Sequence, residues 1–564
     1  MGFFEEKKGV FRGILGLAAL VWAIITLNTG LFIDENGVLA IYKGIFQGQR
    51  MFVDAWGPLQ MGGLLTYPLF ALYKFALEPL IYPLGIGLVF YLRIVYTIIR
   101  LAICIYLYSV LKRTKYENGA FYASLFAFLF VMSYKAISYK SICDFGVLLF
   151  IAYGIRFFVT SKPAYVVLMG IASCIAVIAY PSMIILPVCF GVILLILSYK
   201  GYEMIKPFWI YLATCLVIAA LVILYLQLTS GLGNIIPQLQ YLEDSDYDQS
   251  LPVRIGMMLA EYAVFAVVAY LPVLFIKILG KYRYVDNYVL GVTLSLYWAV
   301  FMIVICALRS DSISDSRFAY GCLLPFFWLP VLIQPEKKAD YTVIGQYSNN
   351  SLSGNILLQF IFATSAVAQF AWLLSTNQDI SVPAHMAYYV VLAVILIACQ
   401  DDNGMGFLVT ALTIAALFFG CFWVAEGNGG YASIVSERWL VEDGAFKGIA
   451  LTPDDYNANL NVMELLDTYV TEDDYLLVAF GSNSTGYLNS DAHQAAGSAY
   501  MRTHINTRIL DYWNVNPENT ANYVLIDESC SKYEKFVESE AGQYILSTYT
   551  VEVGRSGNFV LLTK

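Results

Sequence analysis

Residues 13–35 read GILGLAALVWAIITLNTGLFIDE, an apolar run that ends abruptly in Asp34 and Glu35. A helix needs about 20 mostly apolar residues to cross the hydrocarbon core of a bilayer, so this run is long enough to span it. Lys7 and Lys8 precede the run, and no small-residue cleavage site follows it. We therefore expect a retained membrane anchor rather than a cleaved signal peptide.

The composition extends this interpretation to most of the chain. Of 564 residues, 59% are hydrophobic and 13% are charged, whereas a soluble domain has about 45–50% and about 25%. The net charge of −9 is unevenly divided, because residues 426–564 carry 20 acids and 8 bases. These features exclude a single large soluble globule and favour a membrane protein with an acidic soluble tail. They give no reason to expect a nucleic-acid partner.

Thirteen apolar segments are candidate membrane spans. Loops on the N-terminal side of these spans carry 15 basic residues, and the opposite loops with their margins carry eight. Because basic residues accumulate in cytoplasmic loops, we place the N-terminus in the cytoplasm and the tail outside. The candidate spans are residues 13–33, 86–111, 119–134, 143–160, 164–180, 182–199, 207–229, 256–276, 287–307, 318–334, 354–374, 384–400 and 406–424.

The expected fold class is a polytopic α-helical membrane protein with about 13 transmembrane helices in residues 1–425, followed by an extracytoplasmic α/β domain in residues 426–564. The first outside loop, residues 34–85, contains an apolar piece from Met61 to Leu77 that is interrupted by Pro68. Since this piece is too short to span a bilayer, we predict an interfacial or re-entrant helix.

The tail has its own periodicities. Thr452 and Pro453 suit the N-cap and the first position of a helix, which would place Tyr456, Leu460 and Met463 on one apolar face. Short apolar runs at residues 475–480, 523–526, 545–553 and 559–562 follow, the last two separated by a turn predicted at residues 554–557. Runs of this length, bounded by turn residues, are typical of strands in a small α/β domain.

The candidate catalytic groups are carboxylates near the first span. Ionisable residues close to hydrocarbon are energetically unfavourable and commonly mark functional sites in membrane proteins. An apolar wall and the negative end of a helix both disfavour the ionised carboxylate, as suits a general base. We expect Asp34 to be the base, with Glu35 as its rival and Asp54 as an acceptor-orienting or second acidic group. The alternative is that a helix leaving the membrane simply ends in acids.

Five cations on the outer side are candidates for binding an anionic leaving group. Each of them, taken singly, is more often a charge that extends from a helix to the membrane interface. As a group, they oppose the positive-inside trend on the side where Asp34 is expected. They are Arg93, Lys135, Lys140, Arg309 and Arg317. Arg100, deeper in the second span, is expected to pair with a buried acid such as Glu261.

The first outside loop closely resembles that of GT-C-fold glycosyltransferases, a class that includes protein O-mannosyltransferases and lipid A aminoarabinose transferases. The resemblance rests chiefly on Asp34-Glu35 and on GQRMFVDAWGPL at residues 48–59. It extends over about residues 10 to 335 and departs from the usual pattern at Trp56-Gly57 and at Tyr180. Its later points are Asp144, Gly170-Ile171-Ala172, Ala179-Tyr180-Pro181-Ser182 and Arg317-Phe318-Ala319-Tyr320.

This resemblance implies an enzyme that transfers a sugar from a polyprenyl-phosphate carrier to a glycan, lipid or protein acceptor outside the membrane. It implies a first-loop carboxylate as the catalytic base and adds Asp144 as a second acidic site. Transfer by one base in a single displacement would invert the anomeric centre. We expect the cell (plasma) membrane of a bacterium, since the outside tail has a single cysteine, Cys530, and cannot be a disulfide scaffold.

Two alternatives and one cofactor question remain open from the sequence. A polysaccharide polymerase or ligase of related architecture would use a diphosphate-linked oligosaccharide, and a non-enzymatic transporter would move glycan lipids without forming a bond. The sequence requires no cofactor. Asp34, Glu35, Asp54 and Asp144 could gather around a divalent cation, but no ligand spacing demands one.

Overall fold

A computed structural model describes most of the first 242 residues and most of the tail. The described residues are 8–57, 59–130, 135–242, isolated positions between 252 and 278, 356–374, 386, 388–399, 437–481, 485–505 and 507–564. The candidate spans 287–307, 318–334 and 406–424 therefore lie outside the described residues, as do Glu261, Arg309 and Arg317.

The membrane region consists of long apolar helices. Within the described residues, six helical segments are long and apolar enough to cross a bilayer, and two shorter apolar helices accompany them. The helices are α1 (Lys8–Ile25), α2 (Ile33–Phe46), α3 (Gly62–Leu72), α4 (Leu88–Leu111), α5 (Glu117–Leu129), α6 (Tyr139–Thr160), α7 (Pro163–Ala179), α8 (Ile185–Tyr199), α9 (Ile205–Thr229), α10 (Leu232–Gln238), α11 (Ile356–Leu373) and α12 (Tyr388–Ala398). This architecture confirms the predicted class of polytopic helical membrane fold.

The first span ends earlier than the sequence suggested. Helix α1 stops at Ile25, and a separate helix, α2, begins at Ile33. Between them, Gly30 adopts a positive φ of 83°, a conformation that glycine accepts without steric strain. The Gly30 N–H donates to the Ala450 carbonyl at 3.2 Å, and the Ala450 N–H donates to the Asn28 carbonyl at 2.6 Å. Pairing with the tail thus replaces the last helical turns expected for span one.

The apolar piece of the first outside loop forms a helical segment over Gly62–Leu84, with a π-helical turn at Tyr73–Leu77. One side of this segment contacts the tail, because Lys74 Nζ lies 3.7 Å from Asp491 and Lys447 Nζ lies 4.0 Å from the Tyr82 ring. Phe75 is 78% exposed on another side. The sequence analysis judged this piece too short to span, but the helical segment has 23 residues and is long and apolar enough to cross a bilayer. It contacts the tail both in its middle and near its end.

The tail is a five-stranded mixed sheet with helices. Its strands are β1 (Trp439–Leu440), β2 (Ala450–Leu451), β3 (Tyr475–Val478), β4 (His493–Gln494), β5 (Tyr523–Asp527), β6 (Val551–Ser556) and β7 (Phe559–Thr563). The main sheet has the order β4-β3-β5-β7-β6, with parallel pairing of β3 to β4 and β5 and antiparallel pairing around β7, while β1 and β2 form a separate pair. Its helices are α13 (Pro453–Tyr469), α14 (Thr485–Asn489), α15 (Arg508–Val515), α16 (Tyr533–Glu538) and α17 (Glu540–Thr548).

The expected start of α13 is confirmed, since the Thr452 hydroxyl accepts a hydrogen bond from the Asp455 N–H at 3.3 Å. Its buried face differs from the prediction, however, because Leu460 is 41% exposed while Val462 and Leu465 are buried. The turn predicted at residues 554–557 was wrong by three positions. Strand β6 continues to Ser556, and the hairpin turns at residues 557–558.

The tail and the first outside loop share one hydrophobic core. Val38, Leu39 and Ile41 of α2 belong to the same buried cluster as Leu465 and Leu476 of the tail. The first outside loop and the tail must therefore lie on the same side of the membrane.

Candidate functional site

Asp34 lies at the start of a helix rather than at the end of one. It is the second residue of α2, and its side chain is 64% exposed. Contrary to the sequence argument, it therefore meets the positive end of a helix dipole, which stabilises the carboxylate charge. The hydroxyl of Tyr500, in the tail, donates to the backbone carbonyl of Asp34 at 2.6 Å. This bond fixes the first turn of α2 against the tail and leaves the carboxylate at the surface.

Gly37 explains how the Tyr500 ring fits there. A Cβ atom at this position would lie 2.5 Å from the Tyr500 ring. Burial and the nearby Asp34 charge raise the pKa of Tyr500 well above its usual value, so its hydroxyl remains a donor.

Among the candidate cations that the structure describes, Lys140 forms an ion pair with Asp34. Its Nζ lies 3.9 Å from the Asp34 carboxylate. A capping box between Ser138 and Ser141 begins α6 at Tyr139 and therefore places Tyr139 and Lys140 in its first turn. The Lys140 ammonium group also lies 5.8 Å from the centre of the Tyr139 ring. A carboxylate and an ammonium group thus face the same outer rim.

Aromatic side chains line the membrane region next to this rim. The rings of Tyr139 and Tyr180 stack with centroids 5.7 Å apart, and Tyr180 packs against Trp372 at 4.7 Å. Three helical regions, α6, the turn after α7 and α11, supply these rings. Rings with both apolar faces and polar groups are suited to the boundary between hydrocarbon and water.

Glu35 occupies a different environment from its neighbour. Its carboxylate is buried and accepts two hydrogen bonds from the guanidinium group of Arg93, including one from Nε at 2.8 Å. The same guanidinium group donates to the carbonyls of Leu27, Thr29 and Gly30 at 3.0–3.2 Å. All five N–H groups of Arg93 are therefore engaged. The pair stabilises the connection between α1 and α2, and Arg93 has no N–H left for a phosphate.

Asp144 lies deeper, in a second buried pair. It binds Arg100 and accepts hydrogen bonds from the hydroxyls of Tyr388 and Tyr389. Arg100 was expected to pair with an acid such as Glu261, but Asp144 is its partner. Arg100 follows Arg93 by seven residues on α4, so the two pairs are separated by about 10 Å along that helix. We propose a structural role for Asp144, in the packing of α4, α6 and α12.

Asp54 faces the tail. Arg50 donates to both of its carboxylate oxygens, from Nε at 2.8 Å and from a terminal nitrogen at 2.7 Å. The Tyr512 hydroxyl donates to the Asp54 backbone carbonyl at 2.8 Å. These contacts assign Asp54 to the junction between the first loop and the tail.

The four carboxylates that could have gathered around a metal ion do not do so. Glu35, Asp54 and Asp144 each have their own arginine, and Asp34 faces Lys140. No group of three or more His, Cys, Asp or Glu side chains suited to a metal ion occurs in the described part of the chain. Lys135 precedes α6 and is buried.

Solved structures resemble the chain over most of its length. ArnT from Cupriavidus metallidurans bound to undecaprenyl phosphate is 11% identical, with a TM-score of 0.48, covering 99% of this chain and 98% of that one. The archaeal oligosaccharyltransferase AglB from Archaeoglobus fulgidus, in complex with an inhibitory peptide and a dolichol-phosphate, is 11% identical, with a TM-score of 0.36, covering 96% and 73%. Both are GT-C-fold glycosyltransferases, the class that the first loop was predicted to resemble.

A further structure of the Archaeoglobus enzyme, in complex with zinc and sulfate, is 12% identical, with a TM-score of 0.41, covering 94% of this chain and 71% of that one. No protein-family model and no curated protein matches the chain.

Two residues at the rim were missed by the sequence analysis. Tyr139 precedes Lys140 and could have been noticed as an aromatic next to a candidate cation. Tyr500 is 466 positions from Asp34, and no local pattern in the tail connects the two. Only the shared core of the first loop and the tail brings them together.

Proposed function

We propose that this protein is an inverting glycosyltransferase that moves a sugar from a polyprenyl-phosphate carrier to an acceptor outside the membrane. The observation that carries the proposal is the exposed Asp34 carboxylate with Lys140 at 3.9 Å on the same rim. Among the four candidate carboxylates, all of them described, the other three are held by arginine side chains. Asp34 is thus the one placed to exchange a proton with a substrate.

The reaction needs two opposite charges at the rim. Asp34 takes the proton of the acceptor hydroxyl while the oxygen of that hydroxyl attacks the anomeric carbon of the donor sugar. The bond between that carbon and the phosphate oxygen breaks, and the carrier leaves as polyprenyl phosphate with the bonding electrons. Lys140 stabilises the charge that develops on this phosphate. A single displacement of this kind inverts the anomeric centre.

The membrane setting agrees with this chemistry. The rim lies next to the aromatic cluster of Tyr139, Tyr180 and Trp372, on the side that carries the tail. A lipid-linked donor could keep its prenyl chain in the hydrocarbon while its phosphate reaches Lys140. We further propose that this side is the outside of a bacterial plasma membrane and that the N-terminus is cytoplasmic.

The test is transfer of labelled sugar from a polyprenyl-phosphate donor by the purified full-length protein. Asp34→Asn should lower the rate by about 10²- to 10⁴-fold, as expected for loss of a general base. Asp473→Asn, which changes an exposed tail carboxylate, is the matched control and should keep full activity. Unchanged transfer by Asp34→Asn would remove Asp34 as the base.

A second pair of variants tests the phosphate-binding role of Lys140. Lys140→Gln should slow transfer, and Lys140→Arg should recover part of the rate because it restores the charge. The released carrier should be polyprenyl monophosphate, and a diphosphate product would instead identify a polymerase or ligase.

A further inference from the structure

A groove of about 460 Å³ lies between the first loop, the segment after α9 and the tail. Its polar lining consists mainly of planar groups: the guanidinium of Arg50 and the amides of Asn234, Gln238 and Gln240. Tyr241 provides an aromatic surface within the same groove. Planar hydrogen-bonding groups that converge on an aromatic ring can bind a ring with many hydroxyls through its edges and its apolar face.

The Tyr241 ring is held in place from behind. It stacks on the buried indole of Trp56 with ring centroids 4.5 Å apart and an interplanar angle of 2°. The indole N–H of Trp56 donates to the Gln238 side-chain oxygen at 2.7 Å, and this bond orients the Gln238 amide. One face of the Tyr241 ring is therefore covered by Trp56, and Tyr241 also lines the groove. A ring fixed in this way loses little conformational entropy on binding.

The charge of the groove favours a neutral ligand. Among the described residues that line the groove, Arg50 is the charged one. Its guanidinium group lies 2.7 Å from the Asp54 carboxylate and 3.7 Å from the Glu518 carboxylate. Two carboxylates thus offset one cation, so the groove offers no net positive charge to a phosphate or a uronic acid.

One tail segment connects the groove to the rim. The backbone N–H of Trp56 donates to the Gly497 carbonyl at 2.6 Å, and the Tyr500 hydroxyl donates to the Asp34 carbonyl. Tyr500 follows Gly497 by three positions, so their Cα atoms are at most about 11 Å apart. An extended glycan of several sugar residues could therefore reach from the groove to Asp34.

We propose that this groove binds a neutral oligosaccharide segment of the acceptor glycan, stacked on Tyr241, at a distance of several sugar residues from Asp34. The inference rests on the proposed transferase function, since it names the class of its acceptor. It assigns the tail the role of holding a glycan chain while its end is extended or modified at the rim.

The first test is retention of full-length protein, in detergent, on an array of printed neutral and anionic cell-surface glycans. The wild type should retain neutral glycans of several residues. Tyr241→Leu should weaken this binding about tenfold, and Tyr241→Phe should preserve it. Tyr456→Leu, which changes a tail tyrosine packed edge-on against Trp439, is the matched control.

These variants are chosen so that a loss of glycan binding can be distinguished from a loss of folding. Arg508 donates to the backbone carbonyl of Tyr241, and side-chain replacement leaves that acceptor in place. Gln240 is exposed, so Gln240→Ala should weaken glycan binding without lowering the thermal unfolding midpoint. Failure to retain any neutral glycan, or equal retention by the wild type and Tyr241→Leu, would overturn the proposal.

The transfer assay separates this inference from the function on which it rests. Tyr241→Leu should raise KM for a long acceptor, whereas the control Tyr456→Leu should leave KM for long and monosaccharide acceptors unchanged. Transfer with unchanged KM for long acceptors would overturn the groove assignment and leave the transferase intact. Tyr241-dependent glycan binding without any transfer would retain the groove and remove the proposed function.

Discussion

Lys43 illustrates how single side chains attach the tail to the first loop. Its buried ammonium group donates to the backbone carbonyls of Leu488 at 2.8 Å and Ser490 at 2.7 Å, and lies 3.5 Å from the Asp491 carboxylate. Burial lowers the pKa of Lys43 to about 8, although Asp491 acts in the opposite direction. Two buried carbonyls depend on this amine for a hydrogen bond.

Replacing Lys43 should therefore destabilise the protein much more than replacing its neighbour Lys74. Lys43→Met leaves the two carbonyls without this donor and should lower the free energy of unfolding by about 2–4 kcal/mol. Lys74→Met removes a half-exposed ion pair with the same acid, Asp491, and should cost less than about 1 kcal/mol. Denaturant titration of the purified protein measures both. Equal effects would mean that Lys43 contributes merely as a surface charge.

His504 predicts a dependence of stability on pH. Burial, together with the charges of Lys532, Arg502 and Lys535, lowers its pKa to about 4. In the unfolded state, the His504 imidazole has a pKa of about 6.5. Between about pH 4 and pH 6.5, the unfolded protein therefore binds a proton that the folded protein does not bind. Stability supplied by the neutral imidazole is present above about pH 6.5 and is lost as the pH falls towards 4.

The comparison of wild type with His504→Gln isolates the contribution of His504 to the pH dependence of stability. Between pH 7 and pH 4, the thermal unfolding midpoint should fall further for the wild type than for the variant, because all other groups titrate alike in the two proteins. Parallel curves for the two proteins would contradict the proposed pKa.

At the scale of elements, the break between α1 and α2 decides the chemistry of the neighbours Asp34 and Glu35. They are consecutive in one helix, so their side chains point in directions about 100° apart. Asp34 faces the rim, and Glu35 faces Arg93 in the interior. From the sequence, Asp34 was the expected base and Glu35 its rival, and the structure gives the two acids different environments.

This arrangement predicts different outcomes for the two acids. Glu35→Gln leaves the buried Arg93 charge without its carboxylate and should lower the free energy of unfolding by about 3–5 kcal/mol. Asp34→Asn, at an exposed position, should change stability by less than about 0.5 kcal/mol while slowing transfer by about 10²- to 10⁴-fold. Thermal unfolding and transfer are measured for both variants. A Glu35→Gln protein with wild-type stability and no activity would make Glu35 the base.

Helix positions were largely predictable because they depend on local patterns. The apolar runs behind α4, α6, α8 and α9 are continuous, and the Thr452 cap of α13 is a local signal. The end of α1 was not predictable, since residues 28–30 pair with Ala450 of the tail rather than with their own helix. The ion pairs of Glu35 and Asp144 were not predictable either, because their arginine partners lie 58 and 44 positions away.

At the scale of the whole molecule, the tail is not an independent appendage. Part of its core and the buried residues of α2 form one cluster, and backbone hydrogen bonds join it to the chain at Asn28, Gly30, Trp56 and Gly87. The boundary predicted near residue 426 from composition therefore does not separate two independent cores. A loop that carries Asp34 and is packed against a sheet is held more rigidly than a free membrane loop, as a catalytic site requires.

The shared core can be tested by splitting the chain. Residues 1–429 and 430–564, expressed together as separate polypeptides, should assemble and purify as a pair in detergent, even in 1 M salt, because apolar burial is not screened by ions. Val38 and Leu39 are both fully buried in the shared cluster, so Val38→Asp in the membrane fragment should release the tail. Val10→Asp is the control at an apolar position of the same fragment that is 63% exposed. A tail fragment that folds alone, with the same thermal midpoint as in the pair, would show that the core at α2 belongs to the tail by itself and would remove the rigid support proposed for Asp34.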